Sequence, residues 1–165
     1  MDIARLARHL FADIGARRRF PPAALDAIQQ AIADGERRHQ GQVCFAIEGG
    51  LPLAEVLRGR SPRARAGLAF GHLRVWDTRH NSGVLIYVLL ADHAIEIVAD
   101  RGIAARVPQA EWQAVCERMR ERFAAGDYAR GASDGIAAVS AILAREFPAD
   151  GSARDNELPD KPVLL

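Results

Sequence analysis

The residues best suited to chemistry lie at the two outer ends of a predicted β-hairpin. They are Asp77, His80, Asn81 and Gly83 around the start of an apolar run at 84–90, and Asp100, Arg101 and Gly102 after a second run at 94–99. The connection between the runs is short, so they pair as antiparallel strands, and the start of one faces the end of the other. Carboxylates are preferred ligands of Ca²⁺ and Mg²⁺, and arginine binds phosphate through paired hydrogen bonds. The sequence therefore predicts a divalent-cation or phosphate site at this edge of the sheet.

An enzymatic interpretation assigns each of these side chains a role. Asp77 and Asp100 hold a divalent ion, Ca²⁺ or Mg²⁺, which activates a water molecule and offsets phosphate charge. Arg101 binds the phosphate, and His80 carries a proton. Phosphomonoester hydrolysis is the reaction that this arrangement predicts.

A structural interpretation of the same residues remains open. Asp77 then caps a turn, and Asn81 and Gly83 are selected for their backbone conformation. Asp100 is then a solvated loop charge, as is Arg101. Glu48 ends an earlier apolar run and joins the site only if that end of the sheet is near.

Other patterns exclude several function classes. The chain contains no P-loop, HExxH, CxxC or G-x-G-x-x-G opening a helix. The five histidines lack metal-ligand spacing and are expected at the surface. Cys44 and Cys116 lie in apolar stripes, which predicts two core residues and no reactive thiol. The net charge of +1 and the absence of a nucleic-acid-binding motif argue against a nucleic-acid partner.

The elements that must position the predicted site follow the order α-α-β-α-β-β-α-α. Apolar spacing predicts a helix over 2–14 that Gly15 ends, a helix from about 22 to 39 and a buried strand over 43–47. A helix from Pro62 to about Thr78 is expected to bury Leu68, Phe70 or Leu73, and Trp76, and two helices follow the hairpin. The fold class is therefore α/β, a three-layer α/β/α sandwich around a small mixed sheet containing one antiparallel hairpin.

The domain organisation is expected to be simple. N-terminal helices over 1–40 pack as one domain with an α/β unit over 41–148, and an extended tail follows over 149–165. The N-terminus lacks the form of a secretory signal, and no segment approaches the length of a membrane span. We expect a cytoplasmic protein, with peripheral contact of Arg17–Arg19 with the inner membrane as an alternative.

Three segments of the chain together resemble the TPM-domain family, in particular its short cytoplasmic bacterial branch. They are Leu73-Arg74-Val75-Trp76-Asp77-Thr78, Asn81-Ser82-Gly83-Val84-Leu85-Ile86-Tyr87-Val88 and Glu96-Ile97-Val98-Ala99-Asp100-Arg101-Gly102-Ile103. Phe123 with Gly126-Asp127-Tyr128, the helix at Gly131 and Gly135-Ile136, and the tail from Asn156 to Leu165 continue the resemblance. It covers about residues 40–165.

The resemblance implies an α/β sandwich with a small central sheet. Phosphatase activity and divalent-cation binding have been proposed for part of the family, and other members are linked to the upkeep of membrane protein complexes. The family's Asn-x-Gly turn falls on Asn81 and Gly83, and its next segment falls on Asp100-Arg101-Gly102. We favour a non-catalytic binding or accessory module with a protein partner in a membrane-associated complex. The alternative is a divalent-metal-assisted phosphatase.

Overall fold

A four-stranded mixed β-sheet forms the centre of the protein in a computed structural model, which describes residues 3–10, 12–151 and 156–165. Its strands are β1 (Gln42–Glu48), β2 (Gly83–Leu89), β3 (Ala94–Ala99) and β4 (Val163–Leu164). In the order β3-β2-β1-β4, β1 is parallel to both β2 and β4, while β2 and β3 form an antiparallel hairpin. The prediction of a mixed sheet with one hairpin is confirmed.

Helices cover both faces of this sheet. In the described part of the chain they are α1 (Ile3–Leu10), α2 (Ala12–Arg19), α3 (Pro22–Glu36), α4 (Leu53–Leu57), α5 (Pro62–His72), α6 (Arg101–Ala104), α7 (Gln109–Ala124) and α8 (Tyr128–Glu146). The larger core lies between the sheet and α3, α7 and α8. The smaller core lies between the sheet and α1, α4 and α5. The α/β fold with a helical layer on each face is thus as predicted.

The sequence of the two central strands explains the two cores. Every residue of β1 and β2 is buried, because successive side chains of a strand point to opposite faces and both faces carry helices. In β1, Phe45 and Ile47 face the larger core, whereas Cys44 and Ala46 face the smaller one. Cys116 is also buried, so the assignment of both cysteines to the core is confirmed.

Two helix predictions were wrong in detail. Gly15 does not end a helix, because α2 runs through it from Ala12 to Arg19. Helix α5 ends at His72 instead of continuing to Thr78. Leu68 and Trp76 are both half exposed, so the prediction of their burial was wrong. Phe70 and Leu73 are partly buried and pack against the smaller core. Ala66 and Ala69 are the fully buried residues of α5, and their small side chains allow a close approach of the helix to the sheet.

The expectation of five surface histidines was also wrong for two of them. His9 and His39 are buried. The Leu51 N–H donates to His9 Nδ1 at 2.9 Å, and His9 Nε2 lies 3.1 Å from Asp92 Oδ1. His39 Nδ1 lies 3.1 Å from the Gly41 carbonyl oxygen. Both rings enter the interior because hydrogen bonds compensate for their burial.

The parallel pairing gives the sheet two distinct ends. We call the end formed by residues 77–83, 100–102 and 156–158 the Asn81 edge. The opposite end, formed by residues 48–51 and 90–93, is the Glu48 edge.

In the described part of the chain, no helix combines the length and the apolar character needed to cross a bilayer.

Candidate functional site

The hairpin brings most of the predicted site residues together at the Asn81 edge. Val84 pairs with Ala99, so the residues that flank the hairpin are neighbours. The Asp100 N–H donates to the Gly83 carbonyl oxygen at 2.8 Å, and the Gly102 N–H donates to the Asn81 carbonyl oxygen at 3.0 Å. Two backbone hydrogen bonds thus fasten the 100–102 segment to the 81–83 turn.

Close backbone packing explains the two glycines of this edge. A Cβ atom on Gly102 would lie 2.6 Å from the carbonyl oxygens of both His80 and Asn81, and one on Gly83 would overlap the Val75 carbonyl oxygen. Asn81 has a φ of 49°, a left-handed conformation that asparagine adopts more readily than most residues. The turn residues thus serve the backbone, as the structural interpretation proposed.

Asp100 is the most unusual polar residue of the edge. It is only 7% exposed, and its Oδ1 accepts a hydrogen bond of 2.7 Å from the Arg101 N–H at the start of α6. Its Oδ2 is buried with no hydrogen-bond partner among the described residues, and so is Ser82 Oγ. A buried oxygen without a partner is costly, so Asp100 Oδ2 is a natural position for a water molecule or a cation.

The other predicted side chains are more exposed. Arg101 is exposed, and its Nε donates to Asn81 Oδ1 at 3.2 Å. Asp77 and His80 are exposed, and no hydrogen bond or ion pair holds either side chain among the described residues. Within the same part of the chain, no group of three or more His, Cys, Asp or Glu side chains is arranged to hold a metal ion. Asp100 therefore offers one oxygen to a cation, without a protein cage around it.

The C-terminal tail contributes to this edge, which residue spacing alone did not predict. Gln42 Oε1 accepts hydrogen bonds of 3.0 Å from the N–H groups of Glu157 and Leu158. The Glu157 carboxylate in turn accepts a hydrogen bond of 3.0 Å from the Arg79 N–H. The only hint in the sequence was the resemblance of the tail to the family. That resemblance did not indicate where the tail lies in the fold.

Glu48 lies at the opposite end of the sheet from the predicted site, because β1 and β2 are parallel. Its carboxylate is 3% exposed and accepts hydrogen bonds from Arg65 Nε at 2.9 Å and Arg65 Nη2 at 2.7 Å. The Tyr87 hydroxyl also donates to it. Burial and the Glu48 carboxylate raise the pKa of Tyr87, and the hydrogen bonds to Glu48 raise the pKa of Arg65. These three side chains bind one another and connect α5 to the sheet, which is a structural role.

A second polar cluster attaches the N-terminal helix to the Glu48 edge. Arg5 donates to the Asp92 carboxylate at 2.8 Å and to the Arg60 carbonyl oxygen at 2.7 Å. Burial favours a raised pKa for Asp92, but the hydrogen bond from Arg5 and the neighbouring His9 hold it below its ordinary value. Because His9 Nδ1 accepts the Leu51 N–H, the ring proton lies on Nε2 and is donated to Asp92. These contacts hold α1 in place.

The comparisons with known proteins agree with this fold. The TPM domain family model matches residues 18–142. The NMR structure of the BA42 protein from the psychrophilic bacterium Bizionia argentinensis is similar, with a TM-score of 0.71 and 28% sequence identity over 86% of this chain and 92% of that one. A search of curated proteins finds no match. The resemblance noted in the sequence is therefore confirmed, and the chain belongs to the TPM domain family.

Proposed function

We propose that this TPM-domain protein is a non-catalytic binding module that contacts a protein partner in a membrane-associated complex through the Asn81 edge. The observation that carries the proposal is the exposed Arg101 guanidinium, which Asn81 Oδ1 orients at 3.2 Å. The backbone beneath it is rigid, since Gly102 packs directly against the carbonyl groups of the turn. A fixed arginine at an exposed edge suits a carboxylate on a partner protein.

Two features of the edge support binding over catalysis. Asp77 and His80 are exposed and are not oriented by a neighbouring side chain among the described residues. Ser82 Oγ is buried, and Ser82 is 1% exposed, so a substrate does not reach it. Covalent catalysis needs an accessible nucleophile with an adjacent base, and these residues do not supply that pair.

A divalent-metal-assisted phosphatase is the second candidate, and it is favoured by the buried Asp100 Oδ2, which has no hydrogen-bond partner among the described residues. In that reading Asp77 and Asp100 would hold the ion, Arg101 would bind a phosphomonoester, and His80 would carry a proton. The bound ion would supply an activated water molecule. The described residues form no metal-binding group of three, so this function ranks second.

One set of measurements separates the two candidates. Calorimetric titration with Ca²⁺, Mg²⁺ and Mn²⁺ is run on the wild type, Asp100→Asn and Asp77→Asn, beside hydrolysis of p-nitrophenyl phosphate with each ion. The binding module predicts no turnover above the buffer rate with any ion. Metal-dependent turnover that Asp77→Asn and Asp100→Asn both abolish would establish the phosphatase and overturn the proposal.

The partner is tested by photo-crosslinking in cells. A photoreactive residue replaces exposed Arg79 at the Asn81 edge, and a matched one replaces exposed Arg118 on α7. We expect a discrete adduct with a membrane-complex protein from position 79 only, and we expect Arg101→Gln in the same chain to abolish it. Identical adducts from both positions would contradict a specific contact at this edge.

A further inference from the structure

Exposed leucines are concentrated at one end of the molecule. Of the seven large hydrophobic side chains that stand exposed in the described part of the chain, five belong to elements at the Glu48 edge. They are Leu10, Leu53, Leu57, Leu164 and Leu165, which we call the leucine face. The first four are each more than half exposed. A cluster of exposed apolar side chains on a monomer marks an interaction surface.

The fold assembles the leucine face from three separate parts of the chain. Helix α1, which ends at Leu10, packs on α4, which carries Leu53 and Leu57. A Cβ atom on Gly50 would lie 2.6 Å from the His9 carbonyl oxygen, so the end of α1 sits directly against the loop that leads into α4. Helix α2 packs on α1.

The C-terminal segment joins the same surface through α2. Strand β4 pairs Leu164 with Ile47, next to the end of β1, and the Leu165 N–H donates to the Ile47 carbonyl oxygen at 2.9 Å. A cavity of about 250 Å³ lies between Ala16 and Arg17 of α2 on one side and Leu164 and Leu165 on the other. The leucine face is thus continuous with the basic end of α2.

Taken together, the three helices that form or adjoin the leucine face are positively charged. The exposed arginines beside it are Arg8, Arg17, Arg18 and Arg58. Helices α1, α2 and α4 contain only two acidic residues, Asp13 and Glu55. Glu55 is paired with Arg58 and Arg60, and these hydrogen bonds lower its pKa. Arg17 and Arg18 have no carboxylate partner among the described side chains.

We propose that the leucine face docks this protein on an anionic phospholipid surface. Projecting leucines enter the acyl boundary while arginines stay at the level of the anionic headgroups, as in interfacial amphipathic helices. A second copy of the chain fits less well, because a symmetric contact would place the arginines of both copies in one interface, without added carboxylates to neutralise them. The docking surface is at the opposite end of the sheet from Arg101, so a docked molecule keeps its Asn81 edge free for a partner.

The test is flotation of the full chain with vesicles of phosphatidylcholine alone and of phosphatidylcholine with about a third phosphatidylglycerol. We expect binding to the anionic vesicles only, weakening as the salt concentration rises. The variant Arg17→Gln/Arg18→Gln should bind about thirty-fold more weakly at low salt. The variant Leu53→Ser/Leu57→Ser should lose at least about ten-fold in affinity.

Matched controls distinguish docking from non-specific adsorption to vesicles and from loss of the fold. Leu68→Ser removes an equally exposed leucine on α5, and Arg118→Gln/Arg130→Gln removes two exposed arginines elsewhere. Both controls should bind like the wild type, as should Arg101→Gln, and circular dichroism should match for all variants.

Three outcomes would overturn the proposal. The first is wild-type binding that is equally strong to vesicles with and without phosphatidylglycerol. The second is an equal loss of vesicle affinity in Leu53→Ser/Leu57→Ser and in Leu68→Ser. The third is a dimer in solution that Leu53→Ser/Leu57→Ser dissociates without any vesicle binding, which would make the leucine face a contact between copies. None of these outcomes bears on the Asn81 edge, whose crosslinking test stands separately.

Discussion

Replacing Arg65 with methionine removes the counter-ion of the most deeply buried carboxylate among the described ion pairs. The Glu48 side chain is 3% exposed and the Arg65 side chain is 25% exposed. Methionine keeps most of the aliphatic stem of Arg65, so the change in packing is small. The variant leaves Glu48 with the Tyr87 hydroxyl as its remaining hydrogen-bond donor in the described structure.

The expected loss follows from burial. Removing one partner of a buried ion pair costs about 3–5 kcal/mol, because a charge stays behind in a medium of low dielectric constant. Partial exposure of Arg65 and the retained Tyr87 hydrogen bond favour the lower end, about 3 kcal/mol. For a chain of this size, this corresponds to a drop in Tm of about 6–12 °C.

Urea denaturation measured by tryptophan fluorescence provides the assay, since Trp112 is buried in the larger core. The double variant Glu48→Gln/Arg65→Met should recover most of the loss, because it buries no net charge. The control is Arg145→Met, which removes a half-exposed arginine from surface pairs with Glu111 and Glu146 and should change the stability little, because water screens exposed ion pairs. Equal losses in Arg65→Met and Arg145→Met would refute the reasoning that Glu48 is desolvated.

Three further predictions concern other parts of the structure. Gly102→Ala should destabilise the fold by about 1–3 kcal/mol, because its Cβ would lie 2.6 Å from two carbonyl oxygens. The control is Gly67→Ala, whose Cβ would point into open space and which should be neutral or stabilising. Urea denaturation measures both variants. Because the pKa of Asp92 is held below its ordinary value of 3.8, its charge stabilises the fold above that pH and the stabilisation fades as the pH falls further. Asp92→Asn should therefore be less stable at pH 7 and lose less stability on acidification, whereas parallel denaturation profiles would contradict this. Burial raises the thiol pKa of Cys44 and Cys116 to about 11, so a thiol reagent at pH 8 should label both only after unfolding, and rapid labelling of the native protein would contradict their burial.

The Asn81 edge was predictable because it depends on local sequence. Two apolar runs separated by a short connection favour an antiparallel hairpin, and this signal is local in the sequence. The outer ends of a hairpin are neighbours, so Asn81 and Arg101 had to meet. Which faces of the strands are buried also followed from continuous apolar runs.

The burial of side chains at the Asn81 edge, and the contacts that surround them, were not predictable from the sequence. The burial of Asp100 depends on helices and loops that pack around the hairpin, and so does the lack of a hydrogen-bond partner for its Oδ2 in the part of the chain that the structure describes. Glu157 reaches Arg79 across 78 positions of sequence. Contacts at such separation leave no periodic trace in the sequence, because the partners are specified only when the chain is compact.

The sequence by itself determined the order of the longer helices and of strands β1 to β3, the two apolar faces of the sheet, the hairpin and the family resemblance, but not the short helices α4 and α6 or strand β4. These properties follow from residues within a few positions of each other, whose spacing decides which side of an element is apolar. The tertiary structure alone decided that β1 lies parallel to β2, and this pairing sends Glu48 to the end of the sheet opposite Asp100. It also placed α1 and α4 together, and so collected exposed leucines that are distant in sequence. Strand pairing and helix docking are fixed by the burial of whole surfaces, and no local pattern encodes which surfaces will meet.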